Sequence, residues 1–321
     1  MKSIKKVLLL VLVAIGTFSM IGCSSKSQEV NQNGLEKEVE ENTSITIKHE
    51  LDEITLEKRP ERIIVFDYGM LDTLDEIGEE IIGLPKKSIP PYLEKYKGED
   101  YVDVGTLQEP NFETIYELKP DLIIISARQA SLYDEFKKIA PTVYLPTDGG
   151  DYMNSFKTNM GILGQIFDKE DILTEKIQEI ENAIIALNEK AKSNDKNALF
   201  IMANDGNLSA FGRGSRFGIL YGEFGVNPVD EGIEVTTHGD KIAFEYIVEK
   251  NPDYIYVMDR AAIAGGDISA EQVMDNDLIK STDAYKNDRI TYLDAHIWYV
   301  SSGGLTGTRK MVEEIESSLE K

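Results

Sequence analysis

The 321-residue chain has very little cysteine and histidine, and far fewer basic than acidic residues. Its one cysteine excludes an intrachain disulfide. Its three scattered histidines argue against a zinc or manganese site built from several imidazole ligands. Only 34 basic residues accompany 57 acidic ones, which gives a formal charge of −23. Because nucleic-acid phosphates repel such a field, we expect no nucleic-acid partner.

What is present is the composition of a globular protein, with 41% apolar and 28% charged residues. At about 100–200 residues per domain, the length predicts two lobes that can each bury a core. Helical patterns separate most of the short apolar runs, which is typical of an α/β fold with central sheets flanked by helices. The runs that predict strands are 63–66, 122–125, 143–145, 199–202, 254–258 and 290–293.

The amino terminus has the pattern of an export signal. Three lysines within the first six residues precede an apolar stretch, 7–21, that is too short for a comfortable membrane span. Cys23 follows at the expected cleavage point and resembles the lipidated cysteine of a lipobox. We therefore expect a signal peptide over 1–22, a lipid on Cys23 and a flexible polar tether over 23–43. The mature protein is expected on the outer face of the cell membrane.

A long helical stretch separates two groups of strands. Apolar residues recur every three or four positions over 153–167 and again over 173–187. We expect an N-terminal lobe over 44–150, an interlobe helix over 151–169 and a C-terminal lobe over 170–321.

An internal repeat supports this division. Residues 111–128 and 243–260 align without a gap at an offset of 132, with eight identities in 18 positions. Each unit predicts a helix, a proline stop, a strand and then an arginine, Arg128 or Arg260. In open α/β sheets ligands bind at the carboxyl ends of the strands. The repeat predicts two lobes that offer one arginine each to a cleft between them; chance similarity of two helix–strand units is the alternative.

The lipobox, the repeated Glu-x-Ile-(x)4-Pro-Asp-x-Ile unit and the interlobe helix resemble the helical-backbone (class III) substrate-binding proteins of iron-siderophore and cobalamin ABC importers. Local stretches are similar to petrobactin-type, catecholate-binding lipoproteins of Gram-positive bacteria. Those stretches are Val65–Gly69, Leu84–Lys87, Ile124–Gln129, Ile201–Gly206, Thr237–Gly239 and Trp298-Tyr299. The resemblance implies a monomeric receptor that binds a ferric siderophore and delivers it to an ABC permease and its ATPase. It also implies no catalysis and no intrinsic cofactor.

A ferric tris-catecholate is an aromatic trianion, so its pocket needs fixed cations. Arginine suits this role because its planar guanidinium is always charged and its donors fork onto oxygens. The resemblance implies that three arginines converge on the iron centre, at the positions of Arg128, Arg216 and Arg260. Arg213 is a weaker candidate for the third place. For any single arginine, a surface ion pair is the alternative role.

The resemblance implies further contacts to the ligand. Relatives place basic residues where Lys86 and Lys87 lie. Relatives that accept tetradentate catecholates fill two open iron positions with a histidine and a tyrosine, here His238 and Tyr299, and both are plausible ferric ligands. With a hexadentate siderophore the same two residues only line the pocket.

Aromatic and acidic residues complete the predicted site. Trp298 and Tyr68 are expected as aromatic walls of the cleft, with core packing as the alternative. Glu113 and Glu245 begin the two repeat helices, where a carboxylate also suits the helix dipole. The resemblance implies that these two glutamates dock onto arginines of the permease.

Other readings of the chain remain open. The same receptor role for a hydroxamate siderophore, haem or cobalamin is one alternative. Cobalamin does not need three cationic side chains, haem binding usually adds Met or His axial ligands, and a hydroxamate siderophore carries less negative charge and leaves the arginines under-used. A lipid-anchored hydrolase is less favoured, because the chain contains neither Gly-x-Ser-x-Gly nor His-Glu-x-x-His.

Overall fold

The computed structural model describes residues 44–320. The predicted signal peptide, Cys23 and the tether lie outside the described residues. The described chain begins with an antiparallel hairpin of β1 (Ile45–His49) and β2 (Asp52–Leu56). Among residues 44–320, no helix combines the length and the apolar character needed to cross a bilayer.

Two sheets come after the hairpin. The first is parallel, in the order β5-β4-β3-β6-β7. Its strands are β3 (Ile63–Val65), β4 (Gly83–Leu84), β5 (Val102–Asp103), β6 (Leu122–Ile125) and β7 (Thr142–Tyr144). The second is mixed, in the order β11-β9-β8-β12-β13, with β10 also paired to β8. Its strands are β8 (Asn197–Asn204), β9 (Asn207–Phe211), β10 (Asn227–Pro228), β11 (Asp240–Ile242), β12 (Tyr254–Asp259) and β13 (Ile290–Leu293).

Helices flank both sheets, so the predicted α/β class is confirmed. The α-helices are α1 (Tyr68–Glu76), α2 (Phe112–Leu118), α3 (Tyr133–Lys137), α4 (Tyr152–Phe167), α5 (Glu170–Asn194), α6 (Ile219–Gly222), α7 (Phe244–Lys250), α8 (Ala261–Ala264), α9 (Ala270–Met274), α10 (Asp277–Lys280), α11 (Asp283–Lys286) and α12 (Leu305–Ser318). Short 3₁₀ helices span Pro91–Lys97 and Ala127–Leu132, and a π-helical turn spans His296–Val300.

The two repeat segments fold alike. Each helix, α2 or α7, ends in a left-handed residue just before the proline, Lys119 with a φ of 48° and Asn251 with a φ of 42°. The aspartate after each proline then binds the start of the neighbouring strand. Asp121 accepts a hydrogen bond from the Arg62 amide over 2.7 Å, and Asp253 accepts one from the Asn197 amide over 3.1 Å. The Pro-Asp pair therefore sets the register of β6 and β12, and with it the position of the residues just beyond each strand.

The connection between the sheets consists of two helices rather than one. Asp168, with a φ of 53°, ends α4, and α5 continues for 25 residues from Glu170. One apolar core contains Val65 of β3 and Phe200 of β8, together with buried residues of α1, α4, α5 and α12. The helices therefore join the two sheets through a continuous core. Helix α4 accounts for most of the predicted interlobe helix, 151–169.

The last helix, α12, also contacts the N-terminal part of the chain. The Gly307 amide donates to the buried Asp72 carboxylate of α1 over 2.8 Å, and Arg309 donates to Glu76 of the same helix over 2.8 Å. Burial raises the pKa of Asp72 to about 7. These contacts attach the end of the chain to the first helix after β3.

Candidate ligand-binding cleft

A cleft of about 680 Å³ lies at the carboxyl end of β6. Its lining comes from both halves of the structure, because it includes 126–128 and 147–150 on one side and 214–216, 235–237 and 299–300 on the other. Open α/β sheets bind ligands at this edge. Arg128, at the end of the first repeat unit, lines this cavity. Arg260, at the end of the second, lies outside the lining but contacts Tyr299, which belongs to it.

Three guanidinium groups surround Tyr299 in this cleft. Nη2 of Arg128 donates to the Tyr299 carbonyl oxygen over 2.8 Å, and Nη2 of Arg216 donates to the same oxygen over 3.4 Å. Nε of Arg260 donates to the phenol oxygen over 3.0 Å. The three guanidinium carbons lie 5.7, 4.4 and 5.7 Å from the centroid of the Tyr299 ring. Three positive charges from distant parts of the sequence therefore meet at one aromatic residue.

The residues of this cluster shift one another's pKa values. Burial raises the pKa of the Tyr299 phenol, but the hydrogen bond from Arg260 and the charges of Arg216, Arg260 and Arg128 outweigh it, so the pKa lies below its usual value. Burial and the positive charges of Arg128 and Arg260 lower the pKa of the Arg216 guanidinium. Part of this side chain remains exposed at the cleft. A guanidinium keeps its charge at physiological pH. Three cationic side chains are therefore concentrated around Tyr299 on an acidic protein.

Two residues that sequence reasoning missed support this cluster. Oδ1 of Asn204, the last residue of β8, accepts a hydrogen bond from Nη1 of Arg260 over 2.9 Å. Asp67 is buried at the cleft and accepts the Met70 amide over 3.0 Å at the start of α1. Burial raises the pKa of Asp67. The sequence held one indication of both residues, which is their position. Asp67 directly follows the predicted strand 63–66, and Asn204 lies two residues after the predicted strand 199–202.

Only one of the two neighbouring arginines in 212–218 faces the cleft. Arg216 lines it. Nε of Arg213 lies 3.2 Å from Glu231, and its Nη1 donates to the Tyr221 carbonyl over 2.7 Å. Arg213 is thus held in a surface ion pair, and Arg216 is the one of the two that lines the cleft.

Glycines allow two loops to touch at one wall of the cleft. A Cβ atom on Gly149 would lie 2.1 Å from Cα of Arg216, and one on Gly150 would lie 2.9 Å from the Gly214 carbonyl oxygen. Neither contact tolerates a side chain. The loop before α4 therefore approaches the backbone of Arg216 as closely as backbones can, and it limits where that arginine can lie.

The structure corrects the predicted aromatic walls. Trp298 is 1% exposed, packs on Phe200 and donates from Nε1 to Glu314 over 2.7 Å. Tyr68 is also 1% exposed, and its hydroxyl donates to the Pro85 carbonyl over 2.8 Å. Both rings belong to the core, because their polar atoms are satisfied inside the protein and their faces are covered.

Three other predicted residues lie apart from the cleft lining. Nζ of Lys86 donates to the carbonyl oxygens of Lys97 and Gly98 over 3.3 and 2.7 Å. Lys87 and His238 are exposed, and the two residues before His238 line the cleft. Within residues 44–320, no group of three or more His, Cys, Asp or Glu side chains is arranged to hold a metal ion.

Comparison with known proteins identifies the family of the chain. The family described as "Periplasmic binding protein" matches residues 63–297. Petrobactin-binding protein YclQ of Bacillus subtilis is 44% identical over 99% of this chain and 100% of its own length. Its crystal structure matches with a TM-score of 0.85 and 47% identity, over 87% of this chain and 99% of that chain.

Two further relatives come from Vibrio species. Ferric-anguibactin-binding protein FatB of Vibrio anguillarum is 34% identical over 94% of this chain and 95% of its own length. The periplasmic catecholate-siderophore binding protein VctP of Vibrio cholerae matches with a TM-score of 0.80 and 38% identity, over 85% of this chain and 99% of that chain. These relatives are binding proteins, which confirms the prediction of a receptor rather than an enzyme. The chain belongs to the periplasmic binding protein family.

Proposed function

We propose that this protein captures a ferric catecholate-type siderophore, similar to petrobactin, in the cleft and delivers it to an ABC importer for iron uptake. The observation that carries the proposal is the convergence of Arg128, Arg216 and Arg260 on one point. The relatives named for petrobactin, anguibactin and catecholate siderophores support the same ligand class.

The charge of the ligand matches the charge of the cluster. A ferric tris-catecholate carries three negative charges, and three guanidinium groups offer three positive ones. Planar N–H forks can each donate to adjacent catecholate oxygens. A hydroxamate siderophore has less negative charge and leaves part of this set unused. The arrangement therefore favours catecholates over the other ligands of this importer class.

A tetradentate siderophore would leave two iron positions open. In that case we propose that the phenolate of Tyr299 and the imidazole of His238 fill them, since both groups are ferric ligands. Tyr299 is already in the cluster, whereas His238 has to approach from the rim. We further propose that the exposed Lys87 attracts the anion without touching the iron centre.

We also propose how the receptor is attached and how its lobes move. Cys23 carries the lipid, and the tether 23–43 holds the protein at the outer face of the membrane. In this proposal α4 and the start of α5 connect a lobe over 44–150 to a lobe over 170–321, and the contacts of α12 with α1 brace the two lobes. Because helices rather than flexible strands join the lobes, we expect limited closure on binding.

A fluorescence titration of residues 24–321 tests the ligand class. Trp298 is the sole tryptophan, so its quenching reports binding, and calorimetry serves as a second readout because this ring is buried. The ligands are ferric petrobactin, ferric enterobactin, a ferric bis-catecholate, ferrichrome, haem and cobalamin. We expect saturable binding of catecholates alone. Tight binding of ferrichrome, haem or cobalamin instead would refute the catecholate proposal, and no binding at all would refute the uptake role.

Charge reversal on the repeat helices tests delivery. Glu113 and Glu245 are exposed at the starts of α2 and α7, and neither forms a salt bridge with another residue in the described part of the chain. If they dock onto permease arginines, the Glu113→Lys and Glu245→Lys variants bind siderophore normally but lower iron uptake by cells, each by about tenfold.

The matched control is Glu117→Lys, an exposed glutamate later in α2. Iron uptake by cells that carry this variant should stay within about twofold of the wild type, because a charge at the edge of an interface has a small effect on binding. Equal losses from Glu113→Lys and Glu117→Lys would point to a general charge effect and would count against docking at the helix starts.

A further inference from the structure

A carboxylate lines the cleft beside the cations that the proposed function assigns to an anionic ligand. Asp148, in the loop before α4, is exposed and shares the lining with Arg128 and Arg216. A carboxylate repels an anion that enters the same cavity. Asp148 therefore works against a ligand that carries only negative charge, and its place in the lining needs a physical explanation.

The second carboxylate in the lining is already used by the protein. Asp67 is buried, and its Oδ1 accepts hydrogen bonds from the amides of Gly69 and Met70 over 2.9 and 3.0 Å. It is the N-cap residue of α1 and satisfies amides in the first turn of that helix. Asp67 therefore has a structural role that needs no ligand, and Asp148 is the carboxylate that remains to be explained.

The side chain of Asp148 has no cationic partner in the part of the chain that the structure describes. It forms no salt bridge with any residue of 44–320, although two arginines share its cavity. Its Oδ1 accepts the Gly150 amide over 2.9 Å, and its Oδ2 has no hydrogen-bond partner among the same residues. The charge of Asp148 and one of its oxygens are thus available to a ligand.

The backbone of Asp148 is held on the wall of the cleft. Its amide donates to Oγ of Ser155 in α4 over 3.0 Å. The next residue, Gly149, packs so closely on Arg216 that a Cβ atom there would lie 2.1 Å from the arginine Cα. The carboxylate and the backbone of one arginine therefore belong to the same wall, and the cavity offers a fixed negative group beside its positive ones.

We propose that Asp148 is a specificity-determining residue that selects chelates with a protonated amine beside their anionic iron centre. The inference rests on the proposed function, because it assumes a ferric catecholate in the same cleft. It narrows the ligand class to catecholates that carry an amine in the linker between their chelating groups. The ammonium group binds the free oxygen of Asp148, while the catecholate oxygens accept from the guanidinium groups.

A purely structural role for Asp148 makes a different prediction. The hydrogen bond from the Gly150 amide closes an Asx turn, and a negative charge also suits the nearby amino terminus of α4. Asparagine keeps that turn, because its Oδ1 can accept the same amide, but it removes the charge. With Asp148→Asn, a structural role changes the affinity for every chelate by the same factor, whereas the specificity role makes the change depend on the charge of the linker.

The test measures the affinities of residues 24–321 for two chelates by calorimetry at pH 7. The first is ferric petrobactin, whose linkers contain secondary amines. The second is the same chelate with those amines acetylated, which removes their positive charge and leaves the catecholate groups unaltered. The wild type should bind the unmodified chelate more tightly. We expect Asp148→Asn to lower the ratio of the two affinities by about three- to tenfold, and we expect about 1 M NaCl to reduce this effect.

The matched control is Asp151→Asn, which removes the same charge three residues later in the chain. Asp151 is exposed and lies outside the lining of the cleft, and its carboxylate accepts from the side-chain amide of Asn154 over 2.8 Å. The ratio of the two affinities should stay within about twofold of the wild type, since a solvent-screened charge outside the cavity does not distinguish the two linkers.

The outcomes that overturn the inference can be told apart from failure of the proposed function. If both chelates bind but Asp148→Asn changes their affinities by the same factor, Asp148 does not recognise an amine and the catecholate proposal stands. The same conclusion follows if Asp151→Asn lowers the ratio as much as Asp148→Asn does. If neither chelate binds the wild type, the catecholate proposal is wrong and the preference for an amine is refuted with it.

Discussion

Replacing Arg216 with alanine should lower the affinity for ferric petrobactin by about 10- to 100-fold. The guanidinium lies 4.4 Å from the Tyr299 ring centroid and reaches the open cleft, where it can donate to a catecholate oxygen. Losing one of three cations leaves one ligand charge without a partner. We place the loss below that of a fully buried pair, because Arg216 keeps some solvent contact. Calorimetric titration of the variant measures the change directly.

Arg213→Ala is the matched control for this prediction. Arg213 lies three residues earlier but is held by Glu231 and the Tyr221 carbonyl outside the cleft. Its removal should change affinity by less than about twofold, since an exposed ion pair contributes little. If Arg213→Ala weakens binding as much as Arg216→Ala does, the assignment of the third cation is incorrect.

A methyl group at Gly149 should damage both the cleft and the stability of the fold. The Cβ of Gly149→Ala would lie 2.1 Å from Cα of Arg216, so one of the two loops must move. Overpacking of this kind costs about 1–3 kcal/mol in the free energy of unfolding. Because Arg216 moves with its backbone, we also expect affinity for ferric petrobactin to fall by about tenfold or more. Urea unfolding and calorimetry measure the two effects.

Gly161→Ala provides the control substitution. Gly161 lies within α4, and a Cβ there would meet nothing within 4 Å. Alanine should therefore raise the free energy of unfolding by about 0.5–1 kcal/mol, as expected for glycine in a helix interior, and leave binding unchanged. Wild-type affinity and stability in Gly149→Ala would show that the two loops are not in close contact.

The sequence was sufficient to predict the α/β class and the proximity of the two repeat arginines, which both contact Tyr299. The spacing of apolar residues along the chain distinguishes strands from helices. The 132-residue offset of the repeat aligns Arg128 with Arg260, so that pairing needs no three-dimensional information. Because parallel strands end at the same edge of a sheet, placing an arginine after each strand places it at a cleft. The fold keeps that register through Asp121 and Asp253.

Contacts between segments distant in the chain could not be predicted in the same way. Arg213 and Arg216 look equivalent in the sequence, and only the position of Glu231, 18 residues after Arg213, separates them. Trp298 and Tyr299 are adjacent, yet the π-helical turn directs the first into the core and the second into the cleft. The choice depends on which side of that turn meets the apolar core.

Capture of a ferric catecholate by the three arginines is tested most directly by a crystal structure of residues 24–321 with ferric petrobactin, with the iron located by its anomalous scattering. We predict one iron peak in the cleft, with the guanidinium groups of Arg128, Arg216 and Arg260 donating to oxygens of the chelate. We also predict that the lobes close only slightly. An iron peak outside this cleft, or a bound chelate that contacts none of the three arginines, would contradict the proposed function.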